Sequence, residues 1–361
     1  MDIQVFPGQT LGILGGGKTA SFLSLRAKEM GYFVGVLVKD ANEPAAKVAD
    51  WFIEGAYDRT ESILALAEKS DVLILATEEI DLEILSELQP YIKLPQLVEN
   101  LSITNDRLIE KVFLESLNIN VSPYATITTI EDIEEAIQSI GFPCVLKRIR
   151  IELSQLENVY LYSEEDYAKA KRLLATGACV LESFIPLNKE MAVTLVVKEG
   201  QTLTHFPITE TIYQNGKLKR TITPAQVEEE MLDAIAEVAK EIAAAMQVTG
   251  LLTIELFVTN VGAIYVKQLL VNAQNVADFT LDACSLSQYE ALIRVVCGLP
   301  LPEQVNMQPT ITHYLEAEKL EQAIFELPNH PEWVIRYYDR EKKIGQITQF
   351  SEEVAPFFAN D

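Results

Sequence analysis

Residues 10–38 open with Thr10-Leu11-Gly12-Ile13-Leu14-Gly15-Gly16-Gly17. The helical segment Lys18–Met30 follows, then Phe33-Val34-Gly35-Val36-Leu37-Val38. A short apolar run that breaks on three glycines and restarts as a helix reads as a strand-to-helix turn. FVGVLV is apolar on both faces, as a central parallel strand must be. A third such run, Val72–Ala76, follows a helical segment at Ser62–Lys69. Three strands with helical crossovers predict a doubly wound, Rossmann-like α/β layer.

Outward from this layer the pattern changes. Asn105–Leu117 reads as a helix capped by Asn105 or Thr104, and Ile130–Ser139 as an acidic helix. PCVLK at 143–147, a helix over Asp166–Leu174 and a strand over Cys179–Ile185 form a small α+β unit. Strands at Ala192–Val197 and Thr202–Pro207 follow, with a hairpin signal at Asn215-Gly216. A helix spans Ala225–Met246, and Leu251–Phe257 pairs with Ile264–Val266. A last helix covers Ser287–Cys297, and three strands fill 311–350. The expected units are 1–103, 104–306 (with 112–184 as a lid) and a β-rich 307–361.

Composition narrows the function classes. The 361 residues hold 29 Lys+Arg against 53 Asp+Glu, a net charge of −24, so nucleic acid and anionic lipid are disfavoured partners. No run approaches the roughly 20 apolar residues of a membrane span, and the N-terminus lacks a basic secretory region. Cys144, Cys179, Cys284 and Cys297 are dispersed in apolar surroundings and read as reduced core thiols of a cytoplasmic protein. His205, His313 and His330 show no metal-binding spacing.

Several segments resemble one family along nearly the whole chain. They are GILGGG at 12–17, Asn105-Asp106-Arg107-Leu108 with Lys111, PCVLK ending at Lys147, and Leu181–Ile185 with Lys189-Glu190. Phe206-Pro207-Ile208 with the Gln214-Asn215-Gly216 turn, Ile254–Phe257, Ser287–Glu290 with Arg294, and Gly298-Leu299-Pro300-Leu301-Pro302 complete the set. The chain resembles the ATP-grasp superfamily and, within it, the PurK family of carboxyaminoimidazole ribonucleotide synthetases. The resemblance implies an ATP-grasp fold between a Rossmann-like domain and a small C-terminal β-rich domain. It also implies ATP or ADP and magnesium as cofactors, a small-molecule nucleotide partner and a homodimer. The family reaction cleaves ATP to activate bicarbonate and passes the carboxyl group to aminoimidazole ribonucleotide.

Carried over position by position, the nucleotide end is kept. Arg107 and Lys147 match nucleotide-contacting positions. Glu182, Ser183, Phe184 and Ile185 match the linker that meets adenine through backbone groups. Glu190 matches the acid that grips the ribose diol, for which a carboxylate suits as a double acceptor. Gly15, Gly16, Gly17, Glu78, Asn275, Lys342 and Lys343 stand at substrate-side positions. Each read alone is equally a turn glycine, a strand residue or a surface charge.

The remainder departs. The family's glycine-rich phosphate loop corresponds to Arg148–Glu157, which has no glycine and carries Glu152 and Glu157. Glu255 matches one magnesium carboxylate, but the family's Asn-Glu pair is Lys267-Gln268, and a neutral amide suits a hard dication poorly. The family's APRPHNSGH run is Leu270–Asp278, with Asn272 for the arginine and Gln274 and Asp278 for the histidines. Lys18 replaces the glutamine of GGGQLG, and Tyr213 replaces a histidine. Asn272 and Lys267 thus occupy family catalytic positions without the family's residue types. The expectation is a degenerate member that retains nucleotide binding with weak or no carboxylation. The alternatives are an active enzyme or a ligase with a changed acceptor. Glu152, Glu157 and Asp278 are expected to add negative charge where the family's anionic substrates sit.

Overall fold

Strand β1 (Thr10–Leu14) stops at Gly15, whose φ of 138° disfavours any side chain. The chain turns into α1 (Lys18–Glu29) and continues through β2 (Phe33–Val38), β3 (Trp51–Glu54), α2 (Thr60–Ala67) and β4 (Val72–Leu75). These strands form one parallel sheet in the order β3-β2-β1-β4. The doubly wound layer is present with one strand more than the sequence pattern predicts. That strand, β3, is four residues long at the sheet edge, too short to stand out as a periodic run. The structure, a computed structural model, describes residues 4–150, 158–214, 216–339 and 344–351.

Helices α3 (Leu82–Leu88), α4 (Val98–Thr104) and α5 (Arg107–Ser116) lead out of this layer. The cap of α5 differs from expectation. Asn105 closes α4, so Asp106 becomes the N-cap, its carboxylate accepting from the Leu108 and Ile109 amides at 2.9 and 3.1 Å.

The next unit comprises β5 (Tyr124–Ile127), α6 (Ile130–Ile140), β6 (Cys144–Arg148), β7 (Val159–Leu161), α7 (Tyr167–Leu174) and β8 (Cys179–Ser183). Its antiparallel sheet, β5-β8-β6-β7, has its own core around Ile127, Ile133, Leu146, Leu161 and Leu181. Residues 152 and 157, on which the negative phosphate loop was expected, lie outside the described residues.

The largest sheet is built from β9 (Leu187–Lys198), β10 (Gln201–His205), β11 (Thr209–Gln214) and β12 (Lys217–Thr223). After α8 (Glu229–Met246) come β13 (Gly250–Thr259) and β14 (Ile264–Leu270). Helix α8 begins four residues later than its pattern predicts: Glu228 is still extended (φ −63°, ψ 150°) and serves as the N-cap. After α9 (Thr280–Ala283) and α10 (Gln288–Val296), the tail supplies β15 (Thr310–Glu316), α11 (Ala317–Glu326), β16 (Trp333–Asp339) and β17 (Ile344–Phe350). The sheet order is β14-β13-β9-β11-β12-β15-β17-β16, with β10 on β9, so the tail strands continue the central sheet. Helix α11 is an addition to the all-strand tail read from sequence. Asn215, half of the hairpin signal between β11 and β12, is outside the described residues.

Cys144, Cys179 and Cys297 are buried and Cys284 half-buried, all as free thiols. No helix among the described residues is long and apolar enough to cross a membrane.

Candidate active site

Helix α5 presents Arg107, Glu110 and Lys111 on one face by their i, i+3, i+4 spacing, and all three are buried. Strands β6 and β8 bring Lys147 and Glu182 to the same place. The Lys147 ammonium lies 2.7 Å and the Lys111 ammonium 3.3 Å from the Glu182 carboxylate. Burial alone would raise the Glu182 pKa. Lys147 and Lys111 overcome that and hold it at about 2. Burial lowers the Lys147 pKa despite Glu182. Glu110 has no such close pair. Burial pushes it up to about 7, although it accepts the Leu269 amide and faces Arg107 and Lys111. Three cations against two acids, one of them half protonated near neutrality, make a locally positive pocket in an acidic protein.

The linker after β8 is held by its own backbone. The Ser183 amide donates to the Pro123 carbonyl at 2.8 Å and the Phe184 amide to the Pro143 carbonyl at 3.2 Å. Those two amides fix the linker, so a base seated there would meet its other backbone groups. Phe184 is exposed and Ile185 buried.

Next to this pocket lies a cleft of about 570 Å³. Gly16, Gly17 and Lys18 form one wall, and Thr77, Glu78 and Glu79 after β4 a second. The floor is Tyr213, Glu255 and Gln268 with Asn272–Val276, and Arg107 closes the nucleotide side. The topology thus gathers Gly16, Gly17, Glu78, Glu255, Gln268, Asn272 and Asn275 around one space. Lys342 and Lys343 lie outside the described residues.

Residues at which a departure from the family pattern was expected are paired with one another. Asp278 is fully buried, yet it adds no net charge to the cleft. Lys18 forms an ion pair with it, and the Tyr289 hydroxyl and the Gln288 amide donate to it at 2.8 and 3.1 Å. The expectation of a free negative charge at Asp278 is therefore corrected. Lys18 also donates to the Asn275 side chain at 2.8 Å, and its ammonium lies 4.1 Å from the Tyr338 ring centroid. Asn272 is buried with its side-chain oxygen accepting from Gln96 at 2.9 Å, a neutral bond where the resemblance implies an anion clamp.

The same holds at the metal position. The Lys267 ammonium is 2.9 Å from Glu255 and 3.0 Å from Glu190. The Tyr213 hydroxyl donates to the other Glu255 oxygen at 2.9 Å. Burial would lower the Lys267 pKa, but Glu255 and Glu190 outweigh it and raise the value, so the ammonium stays charged. One Glu255 oxygen takes the Tyr213 hydrogen bond, and the other, buried and without a hydrogen bond, has Lys267 as its ion-pair partner. Gln268 offers only an amide, and a cation is already seated between the acids. This donor set does not suit a divalent metal. Glu190, read as the ribose acid, is also shared with Lys267.

Several participants were not singled out from sequence: Glu43, Gln96, Glu110 and the counter-ion role of Lys18. Lys18 and Asp278 did carry a signal, since both are changed positions and of opposite sign. Glu43 carried none. Its carboxylate accepts the Lys39 amide at 2.8 Å and lies against Gly16, where an added Cβ would come within 2.0 Å of it. It thereby sets a negative charge beside the start of α1, where helix amides favour an anion. Glu78 is half-buried. Burial raises its pKa, and the Gln274 amide at 3.4 Å offsets this only in part.

The sequence matches two family models, a ribonucleotide synthetase preATP-grasp domain over residues 8–104 and an ATP-grasp domain over 112–289. The N5-carboxyaminoimidazole ribonucleotide synthase of Bacillus subtilis strain 168 is 34% identical over 305 residues, 84% of this chain and 80% of that one. An ADP complex of purK superposes with a TM-score of 0.93 at 33% identity, covering 98% of this chain and 95% of the other. The Staphylococcus aureus N5-carboxyaminoimidazole synthetase complexed with ADP gives 0.92 at 28% identity, with 98% and 95% coverage. With this agreement in sequence, fold and element order, the chain belongs to the PurK family of N5-carboxyaminoimidazole ribonucleotide synthases, built on the ATP-grasp fold.

Proposed function

We propose that this family member binds an adenine nucleotide at the Arg107–Lys147–Glu182 end and does not carboxylate an aminoimidazole ribonucleotide in the adjoining cleft. Two of the relatives above are ADP complexes, and the three-cation pocket suits a polyphosphate. The observation that carries the negative half is the charge inventory of the cleft. Of its two lining cations, Lys18 is committed to Asp278, which leaves Arg107, the one also placed in the nucleotide pocket, as the single lining cation without an ion pair among the described residues. Glu43 and Glu78 line the cleft with no cationic partner among the described residues. A phosphorylated acceptor and bicarbonate are both anions, and a working site must neutralise them together with the transferring phosphoryl group.

The test is phosphate release from ATP with magnesium, bicarbonate and aminoimidazole ribonucleotide, beside calorimetric titration of ADP. The expected result is ADP binding with no phosphate release above the protein-free rate. Turnover at the roughly 1–10³ per second usual for enzymes would overturn the reading. A second reading is a ligase with a changed acceptor, favoured by the open cleft with its unpaired lining acids. Glu43 and Glu78 suit an amine-bearing, uncharged or cationic acceptor, and phosphate release stimulated by such amines alone would select it.

A further inference from the structure

Strand β14 carries a bulge. Glu255 pairs with Gln268 and Leu256 with Val266, which leaves Lys267 as the extra residue without a partner on β13. Neighbouring strand residues ordinarily face opposite sides of a sheet, and a bulge re-aims one of them. Here Lys267 and Gln268 both reach the face that carries Glu255 and Glu190. The ammonium sits between those two carboxylates and 3.8 Å from the Tyr213 ring centroid, with Phe257 at 5.8 Å. Its side chain is 19% exposed. An ammonium has three donors, and the two acids and the aromatic face account for its surroundings. A divalent cation would have to displace it from Glu255 and then remain beside it.

We infer that Lys267 is the resident cation of this site, so that Glu255 binds no divalent metal and nucleotide affinity does not depend on one. The second half rests on the nucleotide reading proposed above; the first half does not. The ammonium neutralises one of the two acids permanently. The polyphosphate is then held by Arg107, Lys111 and Lys147 rather than through an exchangeable ion at Glu255.

Manganese is the probe, followed by electron paramagnetic resonance on the nucleotide-free protein. The wild type is expected to leave the free Mn²⁺ signal unchanged at millimolar metal. The double variant Lys267→Asn/Gln268→Glu, which restores the family pair, is expected to bind one Mn²⁺. Titration of ADP is then run in chelator and in excess magnesium. Its dissociation constant should differ by less than about twofold in the wild type. Manganese binding by the wild type that is lost in Glu255→Gln would overturn the assignment, whether or not the double variant folds. An ADP affinity that rises more than about tenfold with magnesium would also overturn it. Absence of ADP binding in both buffers would instead overturn the nucleotide reading, with the manganese result still deciding Lys267.

Discussion

Lys18 and Asp278 form a part-buried, long-range ion pair between two positions where the sequence reading expects a departure from the family pattern. The pair spans 260 positions, and Asp278 has no exposure to water. Removing the cation alone strands a buried carboxylate, which typically costs about 3–5 kcal/mol, whereas removing both charges leaves neutral groups with local partners. Lys18→Met should therefore lower the denaturation midpoint sharply, and Lys18→Met/Asp278→Asn should recover most of the loss in a double-mutant cycle. Glu110 gives a pH signature. Its pKa is raised from 4.5 to about 7, so the folded state holds more protons than the unfolded state between those values. Stability from this group is thus present below about pH 4.5 and falls as pH rises toward 7, by an amount on the order of 3 kcal/mol. Glu182, lowered to about 2, acts oppositely: its contribution is present above about 4.5 and lost as pH falls toward 2. Thermal melts from pH 4.5 to 7.5 should show the decline in the wild type and a flatter profile in Glu110→Gln, which keeps an oxygen for the Leu269 amide.

At the scale of elements, the cap of α5 matters more than its local energy suggests. Asp106 satisfies the Leu108 and Ile109 amides one residue before Arg107, so it fixes the start of the helix that carries Arg107, Glu110 and Lys111. Asp81 caps α3 in the same way through the Glu83 and Ile84 amides, outside this cation cluster. Each Asp→Ala change should cost about 1 kcal/mol of stability. Only Asp106→Ala should also weaken ADP binding, and titration of the two variants side by side distinguishes the cap's structural effect from its effect on the site. The α5 pattern was legible in the sequence, but its first residue was not, because α4 ends directly against it and competes for Asn105. The bulge at Lys267 was not legible at all. An uninterrupted strand would turn Lys267 and Gln268 to opposite faces, and the extra residue brings both to one.

The whole molecule is organised by how its sheets join. The tail strands β15–β17 continue the central sheet through β12, and α1 packs on α10. The β5–β8 unit keeps a separate core. Hydrogen exchange should accordingly show the β5–β8 amides opening as their own unit, earlier than β9 and β13. Similar protection in both sheets would refute this. The net charge of −24 acts at the same scale. Added salt screens mutual repulsion as the Debye length falls toward about 8 Å, so the melting temperature should rise between low and physiological ionic strength.

Local pattern was enough to identify the parallel layer and the family. Glycine turns, apolar runs and motif order are properties of neighbouring residues, readable before any fold is known. The same sequence also raised the expectation that Lys18, Lys267, Asn272 and Asp278 depart from the family pattern. It did not show that the changed residues answer one another. Lys18 neutralises Asp278, and Lys267 sits between Glu255 and Glu190, because the fold brings these charges within bonding distance. The acidity of the chain is a sum over residues, whereas the charge of the site depends on distance and burial. Coulomb energy scales with both, and only the tertiary structure specifies them.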